Sequence, residues 1–170
     1  MIEIGVVADT HDLVRPELLE ALTGVEAILH AGDVCRAETL APLQAVAPVT
    51  AVRGNNDVEP FAGTLPEARA VQFDEVVIWL CHDAADLARL PPPPEARVVV
   101  VGHSHRPLVR EDEHWLLLNP GSPGRRRFSL PVSCARLTVD GARFEARLVE
   151  LDVPPPKRSP RGRSGKRSGR

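Results

Sequence analysis

Aromatic residues make up only 4% of this 170-residue chain, and cysteine occurs three times, at Cys35, Cys81 and Cys134. With so few rings, the core must come from aliphatic side chains, and Val, Leu and Ala supply most of a 43% hydrophobic content. The cysteines are odd in number and widely spaced, with no CxxC pair. That spacing supports neither a disulfide framework nor a structural zinc knuckle. Reduced thiols in a cytoplasmic protein are the expectation. No apolar stretch approaches the ~20 residues of a membrane-spanning helix. The first residues read as a strand carrying Glu3, without a basic n-region or a small-residue cleavage site, so no signal peptide and no membrane association is expected.

The net charge of −2 hides an asymmetry. All 23 carboxylates and 14 of the 21 lysines and arginines lie within residues 1–152, a net of −9, and the remaining seven cations follow. An acidic body argues against a duplex-DNA binder. Any contact with nucleic acid would be weak and would run through the basic end.

One domain is expected over 1–152, long enough to bury about two-thirds of its unfolded surface. Residues 153–170 are almost entirely Pro, Ser, Gly, Lys and Arg, a composition that predicts a disordered tail. The first half alternates strand and helix: strands at 2–8, 27–31 and 49–52, helices from Pro16 and over 37–45. These βαβ units predict right-handed crossovers and a largely parallel sheet. The second half is richer in strands, at 70–73, 76–81, 98–101, 107–110, 115–118, 132–139 and 143–151, with one short helix at 84–90. Asp140-Gly141 marks a hairpin. The pattern predicts an α/β fold, a four-layer α-β-β-α sandwich of two mixed sheets flanked by helices.

Five of the apolar runs end in potential metal ligands. They deliver Asp9 and His11, Asp33, Asn55, His82, and His103 with His105. Ligand crevices of α/β sheets lie outside the carboxyl ends of the strands, so these side chains should share one rim. A mixture of oxygen and imidazole donors suits a pair of divalent transition metals. In Asp9-Thr10-His11 and His103-Ser104-His105, residues i and i+2 of an extended stretch point to one side. Each motif alone has an ordinary alternative: Asp9 as a helix cap, Asn55 as a turn asparagine, His82 as a satisfied histidine. Their joint order is the stronger signal.

That order, Asp9-x-His11, Gly32-Asp33, Gly54-Asn55-x-Asp57, His82, Gly102-His103-x-His105, resembles the calcineurin-like metallophosphoesterases. The strings Ile28-Leu29-His30-Ala31-Gly32-Asp33 and Asn119-Pro120-Gly121-Ser122 resemble the small bacterial and archaeal phosphodiesterases of the YfcE type, over about residues 1–150. The resemblance implies a first metal on Asp9, His11 and His105, a second on Asn55, His82 and His103, and Asp33 bridging them. It implies Mn²⁺, with Ni²⁺, Fe or Zn²⁺ as alternatives. The implied activity is hydrolysis of a small phosphodiester, with Asp33, Asn55, His82 and His103 acting through the metals and a bridging hydroxide. A homodimer is a further implication. Asn56, His30, Arg36 and Arg53 are the candidates for substrate contacts or for support of the ligands.

Two positions depart from the family. Many members carry histidine where this chain has Asn56, and asparagine cannot serve as a general acid. The family often shows Gly-His after the histidine equivalent to His82, whereas here Asp83-Ala84-Ala85 follows. A second reading is a binding scaffold, since the retromer scaffold subunit of eukaryotes resembles this small fold with a degraded metal set. A third is a nuclease aided by the basic tail. All seven ligand positions are filled with competent residues, which favours an enzyme.

Overall fold

The computed structural model describes residues 1–127 and 129–154. The expected tail falls almost wholly outside the described residues.

The strands β1 (Ile2–Val7), β2 (Ala27–His30) and β3 (Val49–Ala51) form the parallel part of the first sheet, and β9 (Ser133–Asp140) and β10 (Arg143–Glu150) complete it in the order β10-β9-β1-β2-β3. The second sheet joins β4 (Ala68–Phe73), β5 (Val76–Cys81), β6 (Ala96–Val100), β7 (Leu108–Glu111) and β8 (Leu116–Asn119) in the order β4-β5-β6-β8-β7. In the second sheet the parallel strands are central and antiparallel hairpins supply both edges, whereas in the first the β9-β10 hairpin forms one edge and the parallel strand β3 the other. The expected hairpin at Asp140-Gly141 forms, with Gly141 at a left-handed φ of 59°, and another joins β4 to β5 through Asp74-Glu75.

The inner faces of the two sheets meet in an aliphatic core, in which Ile4, Val6, Leu29, Ile78, Leu80, Val98, Val100, Leu118 and Leu137 are fully buried. Strand alternation places these side chains on one face of each pleat. The outer face of the first sheet packs Val7, Ile28 and Cys134 against Leu18, Leu22 and Leu43 of the helical segments. Gly5 permits this close approach, because a Cβ there would lie 2.5 Å from Leu22 Cδ2.

Helix is scarcer than the patterning predicts. The first helix, α1 (Pro16–Ala21), begins at its proline and spans six residues. The expected helix at 37–45 is a 3₁₀ turn, Ala37–Leu40, running into a single α-helical turn, α2 (Ala41–Gln44). The expected helix at 84–90 is a 3₁₀ stretch, Ala84–Ala88, capped by Asp83, whose Oδ1 accepts from the main-chain N–H of Ala85 at 3.0 Å. The outer layer over the second sheet is therefore thin. Pro42 and Pro91 to Pro94 keep these segments short by removing main-chain donors. Among the described residues no helix is long and apolar enough to cross a membrane.

Candidate metal centre

The C-terminal ends of β1, β2, β3, β5 and β6 open onto one rim, and the connections that follow are stitched together by main-chain hydrogen bonds. Past β1, the Asp9 N–H donates to Gly32 O at 2.9 Å and the His11 N–H to Asp33 O at 3.0 Å. Past β6, the Gly102 N–H donates to His82 O at 2.8 Å. Glycines permit the crowding. A Cβ on Gly54 would run into the main chain of Asp33, with the Asp33 Cα at 2.9 Å, and one on Gly102 would lie 2.9 Å from Asp9 Oδ2.

The rim brings all seven sequence-identified residues together, in two groups. In the first, His11 Nε2 lies 3.2 Å from His105 Nε2, and Asp9 Oδ1 lies 3.4 Å from His105 Nε2 and 3.9 Å from His11 Nε2. In the second, Asn55 Oδ1 lies 3.0 Å from both His82 Nε2 and His103 Nδ1. Asp33 stands between them, its Oδ2 3.7 Å from His11 Nε2 and 3.4 Å from His82 Nε2. Donor atoms of Asp9, His11 and His105, and again of Asp9, Asp33 and His82, lie close enough to share one cation.

The local geometry differs from the expected extended stretches. Asp9, His11, Asp33, His103 and His105 all adopt left-handed φ angles, between 47° and 63°. Their side chains converge through tight left-handed turns, and strand alternation is not the cause. Aspartate, asparagine and histidine tolerate this region better than most residues, yet each such position costs on the order of 1 kcal/mol. Five together mark strain held by the surrounding hydrogen bonds.

Polar groups in the centre are poised for a cation. Asp9 is fully buried, and neither of its carboxylate oxygens has a hydrogen-bond partner. Burial pushes its carboxyl up to about 7, against the opposing charge of His82. Buried carboxylates without partners are costly, and coordination of a cation removes the cost. Burial likewise acts upward on Asp33, but the adjacent His82 and two hydrogen bonds from Asn56 prevail and hold it well below the ordinary carboxylate range. Burial acts downward on His82, yet Asp33, the Ala31 carbonyl and Asp9 raise it to about 9. His82 Nδ1 donates to Ala31 O at 2.7 Å, which fixes the ring and turns Nε2 toward Asp33 and Asn55. Burial, assisted by the charge of Arg127, depresses His105 to about 4.

The four further candidates take different places. Asn56 grips Asp33: its main-chain N–H donates to Oδ1 and its side-chain Nδ2 to Oδ2, each at 2.7 Å. His30 is fully buried and cannot meet a substrate; its Nε2 lies 3.0 Å from Thr10 Oγ1, so it supports the turn between Asp9 and His11. Arg53 lines the cleft beside Asn55, His82 and His103, where it pairs with Glu59 at 3.3 Å. Arg36 lies outside that cleft, exposed, with its Nε 3.6 Å from Asp12 Oδ2.

Further contributors are Asp57, Asp83 and the Asn119–Ser122 string, which stand in motifs the sequence already singles out, and Arg127, which does not. Asp57 ties two ligand turns together, accepting from Cys35 N at 2.7 Å and Gly54 N at 2.6 Å. Asn119 accepts from Gly121 N and donates to Gly102 O and Ser104 Oγ, while Ser122 Oγ donates to Asp9 O at 2.8 Å. The Asn-Pro-Gly-Ser string thus anchors both the Asp-x-His and the His-x-His turns. Asp83 Oδ2 stands 3.6 Å from His103 Nε2, and Arg127 Nη2 donates to His11 Nε2 at 3.4 Å. The run Arg125-Arg126-Arg127, two residues after that string, was the available signal for Arg127.

Residues 2–142 match the model of the calcineurin-like phosphoesterase superfamily domain. The chain belongs to this superfamily. It is 36% identical over 163 residues to a probable metallophosphoesterase of Methanothermobacter thermautotrophicus, a match covering 89% of this chain and 94% of the relative. Its fold is that of an archaeal phosphodiesterase (TM-score 0.72, 21% identity, 87% of this chain and all of the other). It is equally that of vacuolar protein sorting 29 from Cryptosporidium parvum (TM-score 0.71, 21% identity, 88% of this chain and 97% of the other). The two mixed sheets are thus a metallophosphoesterase fold, and the superfamily's metal dependence accords with the donor clusters on the rim.

Proposed function

We propose that this chain is a binuclear metal-dependent phosphodiesterase acting on a small phosphodiester. The observation that carries the reading is the position of Asp33 Oδ2 between two ligand groups, beside the partnerless oxygens of Asp9. Asp9, His11 and His105 would hold one divalent cation, Asn55, His82 and His103 a second, and Asp33 would serve both. Mn²⁺ is the proposed native ion. When bound, the pair supplies Lewis acidity to the phosphoryl group and lowers the pKa of a coordinated water.

The chain's own groups orient and tune the ligands. Ala31 O fixes the His82 ring, and Asn56 holds both Asp33 oxygens. Arg53 faces the cleft from the second group. Asn56 is engaged with Asp33 and carries no acidic proton. A substrate whose leaving group departs without protonation, such as an activated diester, suits that arrangement better than one needing a general acid.

The test is hydrolysis of an aryl phosphodiester by metal-stripped protein titrated with Mn²⁺, Ni²⁺, Zn²⁺ and Mg²⁺, beside an aryl phosphomonoester. Metal-dependent turnover, with the diester preferred, is expected. Silence with every metal, in protein that binds two ions, would transfer the assignment to a scaffold role on the same fold.

A further inference from the structure

Three consecutive arginines follow the Asn-Pro-Gly-Ser string, and the structure gives two of them different work. Arg126 is half-buried and spends its guanidinium on main chain: Nη2 donates to Val153 O at 3.0 Å and Nη1 to Leu130 O at 3.5 Å. Arg127 is exposed and directs Nη2 to His11 Nε2. The segment before it is clamped from outside. Arg15 donates through Nε to Pro123 O at 3.1 Å and through Nη2 to Gly124 O at 3.1 Å. Gly124 in turn lies against the Asp9-Thr10 main chain, where a Cβ would meet Thr10 O at 2.6 Å and Asp9 O at 2.8 Å. The backbone that carries Arg127 is therefore tied to the Asp9 turn itself.

The charge environment of this side of the rim is unlike that of the other. Around the second ligand group, Arg53 pairs with Glu59, and Arg89 pairs with Glu67 at 2.7 Å and Asp86 at 3.4 Å; Asp83 approaches His103. The cations there are already neutralised. Arg127 has no carboxylate partner among the described residues, and its charge reaches Asp9, His11 and His105. A planar guanidinium with free donors suits phosphate oxygens. It cannot keep its present contact when His11 Nε2 coordinates a cation, because the lone pair it uses is the metal's. Released, its donors face an anion seated at the centre.

We propose that Arg127 is the anion clamp of this site, binding a non-bridging phosphoryl oxygen from the His11 side. The inference rests on the phosphoesterase reading above. It also orients the substrate: the anionic oxygens turn toward Arg127, and the rest of the molecule lies toward the cleft of Asn55, His82 and His103.

The experiment is calorimetric titration of inorganic phosphate into Mn²⁺-loaded wild type, Arg127→Gln and Arg127→Lys, with manganese content measured for each. Phosphate affinity in Arg127→Gln is expected to fall about 10- to 100-fold, the range for one charge-assisted contact. Arg127→Lys should recover part of the loss, with manganese content and melting temperature unchanged. Equal affinity in wild type and Arg127→Gln overturns the clamp; if the wild type still hydrolyses the diester with metal, the phosphodiesterase reading survives. A loaded wild type that binds no phosphate and hydrolyses nothing overturns both. A fall in manganese content matching the fall in phosphate affinity would show that Arg127 supports the ligands, and would also overturn the clamp.

Discussion

Asn56 holds both carboxylate oxygens of Asp33, one by its main-chain N–H and one by its side-chain amide, each at 2.7 Å. The residue occupies the place where many superfamily members carry histidine, and it does structural work there. Asn56→Ala keeps the main-chain donor and loses the amide. Outer contacts of this kind commonly contribute 10- to 100-fold in metal affinity. Mn²⁺ affinity is expected to fall about tenfold, read by calorimetry, and unchanged affinity would remove the role. Asn56→His should raise monoester relative to diester turnover by restoring a titratable donor. A constant ratio would show that the substitution at 56 does not set substrate choice.

Asp9 makes the metal-free protein pH-sensitive in a definite direction. Burial raises its carboxyl from 3.8 to about 7. The folded state thus holds this proton more tightly than the unfolded chain. The residue's favourable contribution is complete below about pH 4 and is lost as pH rises through about 7. Metal-free Asp9→Asn should therefore melt above metal-free wild type at pH 8, by on the order of 2–4 kcal/mol in stability, and the gap should close toward pH 4. Adding Mn²⁺ should reverse the order, since the variant loses a ligand. Thermal melts across pH, with and without metal, decide it; equal melting of both metal-free proteins at pH 8 would mean that Asp9 is not strained by burial.

The strand ends were legible because each ligand follows an apolar run of a length only a buried strand explains, as with Val98 to Val101 before His103. The two-sheet architecture followed from the same runs. The turns were not legible. Asp9, His11, His103 and His105 reach the centre through left-handed φ angles, which depend on tertiary hydrogen bonds such as Ser122 Oγ to Asp9 O, 113 residues away in sequence. Proximity in sequence also misjudged the arginines. Arg36, three residues after Asp33, turns away to Asp12, whereas Arg127 arrives from 116 residues beyond His11. His30, a candidate for support of the ligands, is wholly buried and holds Thr10, between Asp9 and His11.

Gly54 is required by contact rather than by backbone angle. A Cβ there would press into the Asp33 main chain and its Oδ1, with Asp33 Cα at 2.9 Å. The neighbours are main chain, tied by Asp57 to Gly54 N and Cys35 N, so they cannot yield cheaply. Gly54→Ala should part the Asp33 and Asn55 turns, lowering stability by roughly 1–3 kcal/mol as overpacking does. Bound manganese should fall from two ions toward one, counted by elemental analysis of folded protein. Retention of both ions at wild-type affinity would show that the turns can separate without harm.

Asn119 connects the second sheet to the centre. It ends β8, is almost fully buried, and satisfies Gly102 O, Ser104 Oγ and Gly121 N at once. Asn119→Ala would leave the buried Gly121 N–H unpaired, worth ~1–3 kcal/mol, and the Gly102 carbonyl with the Ser104 N–H as its remaining donor. Asn119→Asp keeps the acceptor for Gly121 N but loses the donor to Gly102 O, and it sets a carboxylate against that carbonyl. Both variants should melt below wild type, by roughly 1–3 kcal/mol. Their residual activity should fall further than stability alone explains, because Gly102 and Ser104 place His103 and His105. Measuring turnover at a temperature where each variant is fully folded separates the two effects. Wild-type turnover there would mean that the His-x-His turn holds its geometry without Asn119, leaving Asn119 a role in stability only.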